Sequence, residues 1–203
     1  MTRFIAVAGN IGAGKTSLVE FLSKKYGFRA IYEPHRDNPY LDDFYADMGT
    51  WAFQSQLYFL THKFRLHLDL DQDRSETIVL DRTIYEDAEI FAKNLASQHM
   101  SARDYGLYRE LYEAMRRALR PPDLLIYLRC SVRAIRRRIK VRGRPSEQAI
   151  PTAYLSRLNG LYEDWLSRYD QSPVLIWDSE HKDYLTDLVD RLEFRKRLAE
   201  LIP

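Results

Sequence analysis

The sequence predicts an α/β fold built on a largely parallel sheet of five strands flanked by helices. Three observations lead there. Short β-rich runs alternate with longer helical patterns, which implies crossover units that lay successive strands side by side in parallel. The strand runs are apolar with little polar alternation, as in strands buried on both faces. A glycine-rich segment joins the first strand run to the first helical pattern. A length of 203 residues suits one domain over 1–203.

Taken in order, Phe4–Ala8 reads as the first strand, and Leu18, Val19, Leu22 and Tyr26 mark one face of the helix after it. Arg29–Glu33 is the second strand, closed by Pro34. The helix that follows carries Trp51, Phe53, Tyr58, Phe59 and Phe64, rings expected mostly in the core because aromatic side chains dominate burial. Thr77–Asp81 is the third strand. Leu107, Leu111, Tyr112, Met115 and Leu119 mark a further helix face. Leu124–Leu128 and Val174–Trp177 are the fourth and fifth strands, and Tyr184, Leu185, Leu188, Val189 and Leu192 mark the last helix. The polar, arginine-rich segment Arg142–Ile150 reads as a mobile loop between two helices.

Composition excludes several classes. With 45% hydrophobic and 30% charged residues the chain is not expected to be disordered. The single cysteine, Cys130, excludes an internal disulfide framework and a cysteine-based zinc cluster, and fits a reducing cytosol. It has no evident activating partner and reads as a buried thiol. The five histidines show no metal-ligand spacing. No apolar run approaches a membrane span, and the N-terminus shows no signal-peptide pattern. A net charge of +2 gives no general attraction to nucleic acid. Residues 116–144 nevertheless hold ten arginines against one acid, Asp123. Of these, Arg133, Arg136 and Arg137 read as a solvated face.

The glycine-rich segment is Gly9-Asn10-Ile11-Gly12-Ala13-Gly14-Lys15-Thr16, which fits G-x-x-x-x-G-K-[ST] between a strand and a helix. In that setting backbone N–H groups turn inward around phosphate oxygens at a helix N-terminus. Lys15 reaches the outer phosphates and the Thr16 hydroxyl binds Mg²⁺. The motif implies a nucleotide and leaves its fate open. Two acids close strands at the edge where ligands sit in open parallel sheets, Glu33 and Asp81. One has the chemistry of a general base on a hydroxyl, the other of a magnesium ligand.

The ordered series GNIGAGKT, Glu33-Pro34, Tyr45 with Trp51 and Gln56, Asp81-Arg82-Thr83-Ile84-Tyr85-Glu86-Asp87, and Arg138-x-x-x-Arg142-Gly143-Arg144 with Glu147 and Ile150-Pro151 resembles the deoxynucleoside kinases from near residue 3 to about residue 185. The resemblance implies a P-loop kinase fold with an Arg-rich lid over about 138–150. It implies transfer of the γ-phosphoryl group of ATP, with Mg²⁺, to the 5′-hydroxyl of a deoxynucleoside. Glu33 is then the base with Arg82 beside it, Tyr45 and Glu147 hold the sugar 3′-hydroxyl, and Gln56 reads the base edge. Trp51 walls the pocket, Arg138, Arg142 and Arg144 face the phosphates, and Ser17 and Asp178 join the ATP site. Where some relatives have a second acid before Glu147, this chain has Ser146. The family commonly forms homodimers through helices, here Tyr85–Leu95 and Tyr105–Leu119. Two rival readings are a thymidylate-type monophosphate kinase, whose acceptor phosphate Glu33 would repel, and a nucleotide-gated binding module.

Base choice follows from side-chain chemistry. The Gln56 amide pairs with adenine or, flipped, with guanine. Lys63, seven residues on and so on the same helix face, and Asp87 form the second determinant. Thymine has no amino group for Asp87, and its methyl meets charge, so thymidine is expected to be a poor substrate. The short chain with its Trp-Ala-Phe-x-x-Gln stretch resembles the deoxyadenosine kinases most, with deoxyguanosine next and deoxycytidine a secondary substrate.

Overall fold

The computed structural model describes residues 2–32, 37–72 and 75–202. One sheet holds β1 (Phe4–Ala8), β2 (Arg29–Ile31), β3 (Ile78–Asp81), β4 (Leu124–Arg129) and β5 (Val174–Asp178). The strand order is β2-β3-β1-β4-β5 and every pairing is parallel. Parallel neighbours require crossovers. These are α1 (Lys15–Tyr26), α2 (Leu41–Ala46), α3 (Met48–Gln72), α4 (Ile84–Glu86) running through a π-helical stretch Asp87–Ala92 into α5 (Lys93–Ala96), α6 (Ala102–Arg116), α7 (Val132–Arg142), α8 (Pro145–Gln148) and α9 (Thr152–Leu166), with α10 (Leu188–Leu201) last.

The sequence forms these elements for local reasons. All five residues of the central strand β1 are buried, as an uninterrupted apolar run between neighbours on both sides demands. Ser131 starts α7 by accepting a hydrogen bond from the Ala134 N–H at 3.2 Å. Gly143, with φ of 69°, ends it in the left-handed conformation. Pro145 then occupies the first turn of α8. The segment expected as a loop over Arg142–Ile150 thus contains a short helix, and α7 itself runs through Arg142.

Two helix faces differ from expectation. In α10 the buried residues are Phe194 and Leu198, while Leu188, Val189 and Leu192 are exposed; of the two expected residues that precede the helix, Tyr184 is buried and Leu185 exposed. Asp187 caps the helix by accepting from the Val189 and Asp190 N–H groups at 2.8 and 2.9 Å. The apolar residues around this start therefore face outward, before the helix meets Trp177 through Phe194 (ring centroids 5.1 Å apart). In α6, Tyr108 and Tyr112 are the buried pair and Leu107 is exposed. In α3, Trp51, Phe53, Tyr58, Phe59 and Phe64 are only partly buried, while Ser55, Gln56, Lys63 and His67 are buried.

Because the strands are parallel, their carboxyl ends share one edge. Register places Val7 beside Asp81, Ala8 beside Tyr127 and Arg129 beside Asp178. No helix among the described residues is long and apolar enough to cross a membrane.

His67 supplies a test of this packing. Its ring meets Phe4 and Tyr85 edge-on, and burial, aided by the Lys63 charge, pushes its pKa down to about 3. The unfolded chain binds a proton at this residue below the ordinary value of 6.5, and the folded chain does not. Folding stability attributable to His67 therefore falls as pH drops from about 6.5, by about 1.4 kcal/mol per unit. His67→Phe is expected to flatten the stability profile between pH 7 and 5, measured by urea unfolding. An unchanged slope would show that His67 titrates normally in the fold.

Candidate active site

The β1–α1 turn is the floor of the site. Gly9 has φ of 151°, and a Cβ there would stand 3.1 Å from the Leu128 carbonyl oxygen and 3.2 Å from Ala13 Cβ. Only glycine allows the turn to lie this close to β4. Gly12 is similarly confined, with φ of 79° and Ile139 within 3.2 Å of a built Cβ. Lys15, though a cation, is buried, and its Nζ donates to the carbonyls of Gly9 (2.9 Å) and Asn10 (3.1 Å). The Asn10 side chain is structural. It donates to the Leu155 carbonyl at 3.0 Å and accepts from the Ile11 N–H at 2.7 Å. Ser17 is exposed on α1.

From β3, Asp81 accepts from the Thr16 hydroxyl at 2.8 Å through Oδ2. Its buried Oδ1 has no hydrogen-bond partner among the described residues. The next residue, Arg82, has φ of 68°, the one positive value at a non-glycine residue among those described. A left-handed conformation at a side chain of this size is strained and points to a site. It turns the guanidinium over the Phe91 ring, 4.2 Å from its centroid, with the Arg82 N–H still donating to Val7 O at 3.0 Å.

A cavity of about 580 Å³ opens above this floor. Its lining brings together Lys15, Thr16, Asp81 and Arg82 with Tyr45, Gln56, Asp87, Arg142, Arg144 and Glu147. Residues from opposite ends of the chain thus share one space. Gln56 is buried and its Oε1 has no partner among the described residues. Lys63 lies behind the wall, its Nζ 2.8 Å from Asp87 Oδ1, in a pair almost wholly withdrawn from solvent. Glu147, mostly buried, pairs with Arg142 and, at 3.3 Å, with Arg144.

Other expected site residues sit elsewhere. Glu33 and Pro34 lie outside the described residues. Trp51 does not line the cavity, because its ring stacks on Tyr40 at 5.8 Å. Arg138 lies beneath the turn and donates to Ala13 O at 2.9 Å, to Ser179 Oγ at 3.2 Å and to the Ser179 carbonyl. Asp178 is absent from the lining. It accepts from the Glu180 and His181 N–H groups at 3.1 and 3.2 Å, closing the turn after β5. Cys130 is buried, which pushes its thiol pKa up, so the thiolate is disfavoured.

Sequence reasoning missed the aromatic lining by Phe44, Phe91 and Tyr154 and read Phe59 as core. Phe91 follows Asp87 by four residues inside the π-helical stretch, a distortion frequent at functional sites. The spacing alone carries that signal. Burial pushes the Tyr154 phenol up to about 12, so it stays a neutral hydrogen-bonding group.

The arrangement can hold phosphates at one end and a flat, hydrogen-bonding ring at the other. The family model described as "Deoxynucleoside kinase" matches residues 5–203. A deoxyguanosine kinase of Bacillus subtilis is 34% identical, covering 98% of this chain and 97% of that protein. A deoxyadenosine/deoxycytidine kinase of the same organism is 39% identical over 90% of this chain and 85% of that protein. The solved structure of an M. mycoides deoxyadenosine kinase, with products dCMP and a flexible dCDP bound, superposes with a TM-score of 0.84. It is 32% identical, covering 98% of this chain and 99% of that one.

The buried Lys63–Asp87 pair is expected to matter for folding as well. Removing one partner of such a pair costs ~3–5 kcal/mol, whereas replacing both by apolar residues is often neutral. Lys63→Met should therefore destabilise strongly in urea unfolding, and Lys63→Met with Asp87→Leu should recover most of the loss. Equal losses in both variants would contradict the pairing.

Proposed function

This chain belongs to the deoxynucleoside kinase family, and from that premise we propose that its cavity selects deoxyadenosine, places the 5′-hydroxyl at Glu33 and takes the donor triphosphate on the β1–α1 turn. The enzyme is a deoxynucleoside kinase. Its division between adenine and guanine, and the role of each side chain, are the proposal. The observation that carries it is the single cavity joining Lys15 and Arg82 to Gln56 and Asp87.

Phosphoryl transfer demands positioning and charge neutralisation more than covalent help. Lys15 supplies a cation at the turn, and Arg82 another at the end of β3. Arg142, the last residue of α7, and Arg144, just after it, enter the cavity side by side, which favours a lid role that also excludes water. Arg138 instead supports the turn from below through Ala13. Tyr45 and Glu147 share the cavity, as a pair gripping one sugar hydroxyl must. Glu33 follows β2 closely in sequence and is the group with the chemistry to accept the 5′-hydroxyl proton.

Thr16 and Asp81 suit Mg²⁺. Both offer hard oxygen donors, and Asp81 keeps a buried oxygen without a protein partner among the described residues. Bound with the triphosphate, Mg²⁺ would neutralise charge on the phosphates; the protein contributes Thr16 and Asp81 as its holders.

Two acceptors favour a base with an exocyclic amino group, the free Oε1 of Gln56 and the Asp87 carboxylate oriented by Lys63. Adenine, guanine and cytosine have one and thymine does not. Phe59 and Phe91 supply apolar ring surfaces in the same cavity, which a purine covers best. We assign the enzyme to the cytosol, on the lone Cys130. We also propose a homodimer through the α6 face carrying the exposed Leu107, which a purely monomeric sedimentation profile would reject.

One panel tests the reading. Wild type and Glu33→Gln are assayed with ATP, Mg²⁺ and each of the four deoxynucleosides. Wild type should show its highest kcat/KM with deoxyadenosine and its lowest with thymidine. Glu33→Gln should lower kcat by ~10²–10⁴ with little effect on nucleoside KM. A maximum with deoxyguanosine overturns the adenine assignment, a maximum with thymidine overturns the role of Lys63 and Asp87, and an unchanged kcat removes Glu33 as base.

A further inference from the structure

Beneath the cavity is a buried polar cluster that the reaction described above does not use. Glu86, the last residue of α4, is fully buried. Three donors converge on its carboxylate. The Gly9 N–H reaches Oε1 at 3.3 Å, the Tyr162 hydroxyl reaches the same oxygen at 2.8 Å, and the Thr83 N–H reaches Oε2 at 3.1 Å. Tyr162, on α9, is equally buried, and its hydroxyl is also 2.9 Å from the Gly9 carbonyl oxygen. The same carbonyl accepts from Lys15 Nζ at 2.9 Å. Arg82 adds longer contacts, from Nη2 to this carbonyl at 3.5 Å and from Nη1 to the Tyr162 hydroxyl at 3.4 Å. Both polar groups of the first residue of the turn are therefore engaged, by Glu86, Tyr162, Lys15 and, at longer range, Arg82.

A phenol has one proton and serves one acceptor at a time. With Lys15 on the Gly9 carbonyl, the Tyr162 proton is free to point at Glu86. Lys15 cannot remain bound to loop carbonyls and also turn its ammonium fully to a phosphate. Once it turns, the buried Gly9 carbonyl loses that donor and keeps only the long 3.5 Å contact from Arg82 Nη2, and a poorly satisfied buried acceptor is costly. Rotation about the Tyr162 C–O bond supplies the replacement, with no bond broken and no proton transferred. Glu86 meanwhile retains the Gly9 and Thr83 N–H groups.

We propose that Glu86 and Tyr162 are positioning residues for the donor nucleotide, holding Gly9 from both sides so that Lys15 can leave the turn for phosphate without the turn relaxing. Burial pushes the Glu86 pKa up, against Arg82, Lys15 and Lys63, which draw it down. Its oxygens act as acceptors, with donors on both of them. Helix α9 is tied to the turn at a second point through Asn10 and Leu155, so the clamp rests on a fixed support.

The inference rests on the β1–α1 turn being the donor site. Tyr162→Phe keeps the ring that stacks on Tyr127 at 5.5 Å and removes only the hydroxyl. Its melting temperature should stay close to wild type, its KM for ATP should rise about tenfold, and its KM for deoxynucleoside should be unchanged. Glu86→Gln puts an amide N–H₂ among three donors and should raise the ATP KM in the same way. The double variant should lose less than the two single losses multiplied together, because both residues act through Gly9. An unchanged ATP KM in Tyr162→Phe, or a parallel rise in both KM values with a lowered melting temperature, overturns the proposal. Lys15→Ala run alongside separates the two ideas: full activity there means the donor site itself is wrongly placed, whereas lost activity there with a normal Tyr162→Phe leaves the donor site standing and rejects only the clamp.

Discussion

The close approach of Gly9 to β4 is the constraint on which the rest of the site depends. A side chain at this position would meet the Leu128 carbonyl oxygen and Ala13 Cβ. Without one, the chain can leave the central strand, turn under α7 and start α1 with its N-terminus at the edge of the sheet. Every other feature is arranged around that turn. Arg138 supports it at Ala13, α9 supports it at Asn10, and Asp81 meets it through Thr16. A backbone cradle for phosphate works only if its N–H groups stay fixed, and here the fixing comes from side chains remote in sequence.

The second organising feature is buried charge. Lys63, Asp87, Arg82 and Glu86 are all nearly inaccessible, an arrangement that core packing alone would not favour. Each meets a partner within one small region, Lys63 at Asp87, Glu86 at Gly9 and Tyr162, Arg82 over Phe91. Burial holds the His67 pKa down, and the Lys63 charge one turn away on α3 lowers it further. The cost of withdrawing these groups from water is offset by a rigid set of directed donors and acceptors, which is what discrimination between bases requires.

The arginine band divides once the fold is known. Arg138 is structural support for the turn, and Arg142 and Arg144 meet at Glu147 inside the cavity. Arg136 donates to the Ile150 carbonyl at 2.9 Å, and Arg133 is largely exposed. Neighbours on one short helix thus do unlike work, because successive residues of a helix face in different directions.

Much of the architecture was legible in the chain itself. The strand runs marked all five strands, and the glycine pattern marked the turn. Burial on both faces restricts residue type strongly in β1, β3 and β4, as close backbone approach does in the turn, whereas the edge strand β2 has no buried residue and β5 alternates buried with half-buried positions. The pairing of Lys63 with Asp87 was also readable, from a seven-residue helical spacing and a motif. Other features were not. The buried face of α3 is partly polar, with Ser55, Gln56, Lys63 and His67 inward and its aromatic residues only half covered, so a hydrophobic pattern points to the wrong side. The apolar residues at the start of α10 satisfy a helical period yet face outward. Periodicity tells which residues share a face, but whether that face is covered depends on what packs against it. The convergence on Gly9 of Glu86 from α4 and Tyr162 from α9 is likewise a property of the folded chain: Glu86 has a local role in accepting from the Thr83 N–H at the start of α4, but nothing local brings it or Tyr162 to Gly9. Composition and spacing determined the elements and the phosphate turn; only the tertiary structure decided which charges meet, because those partners come from distant segments that the sheet alone brings together.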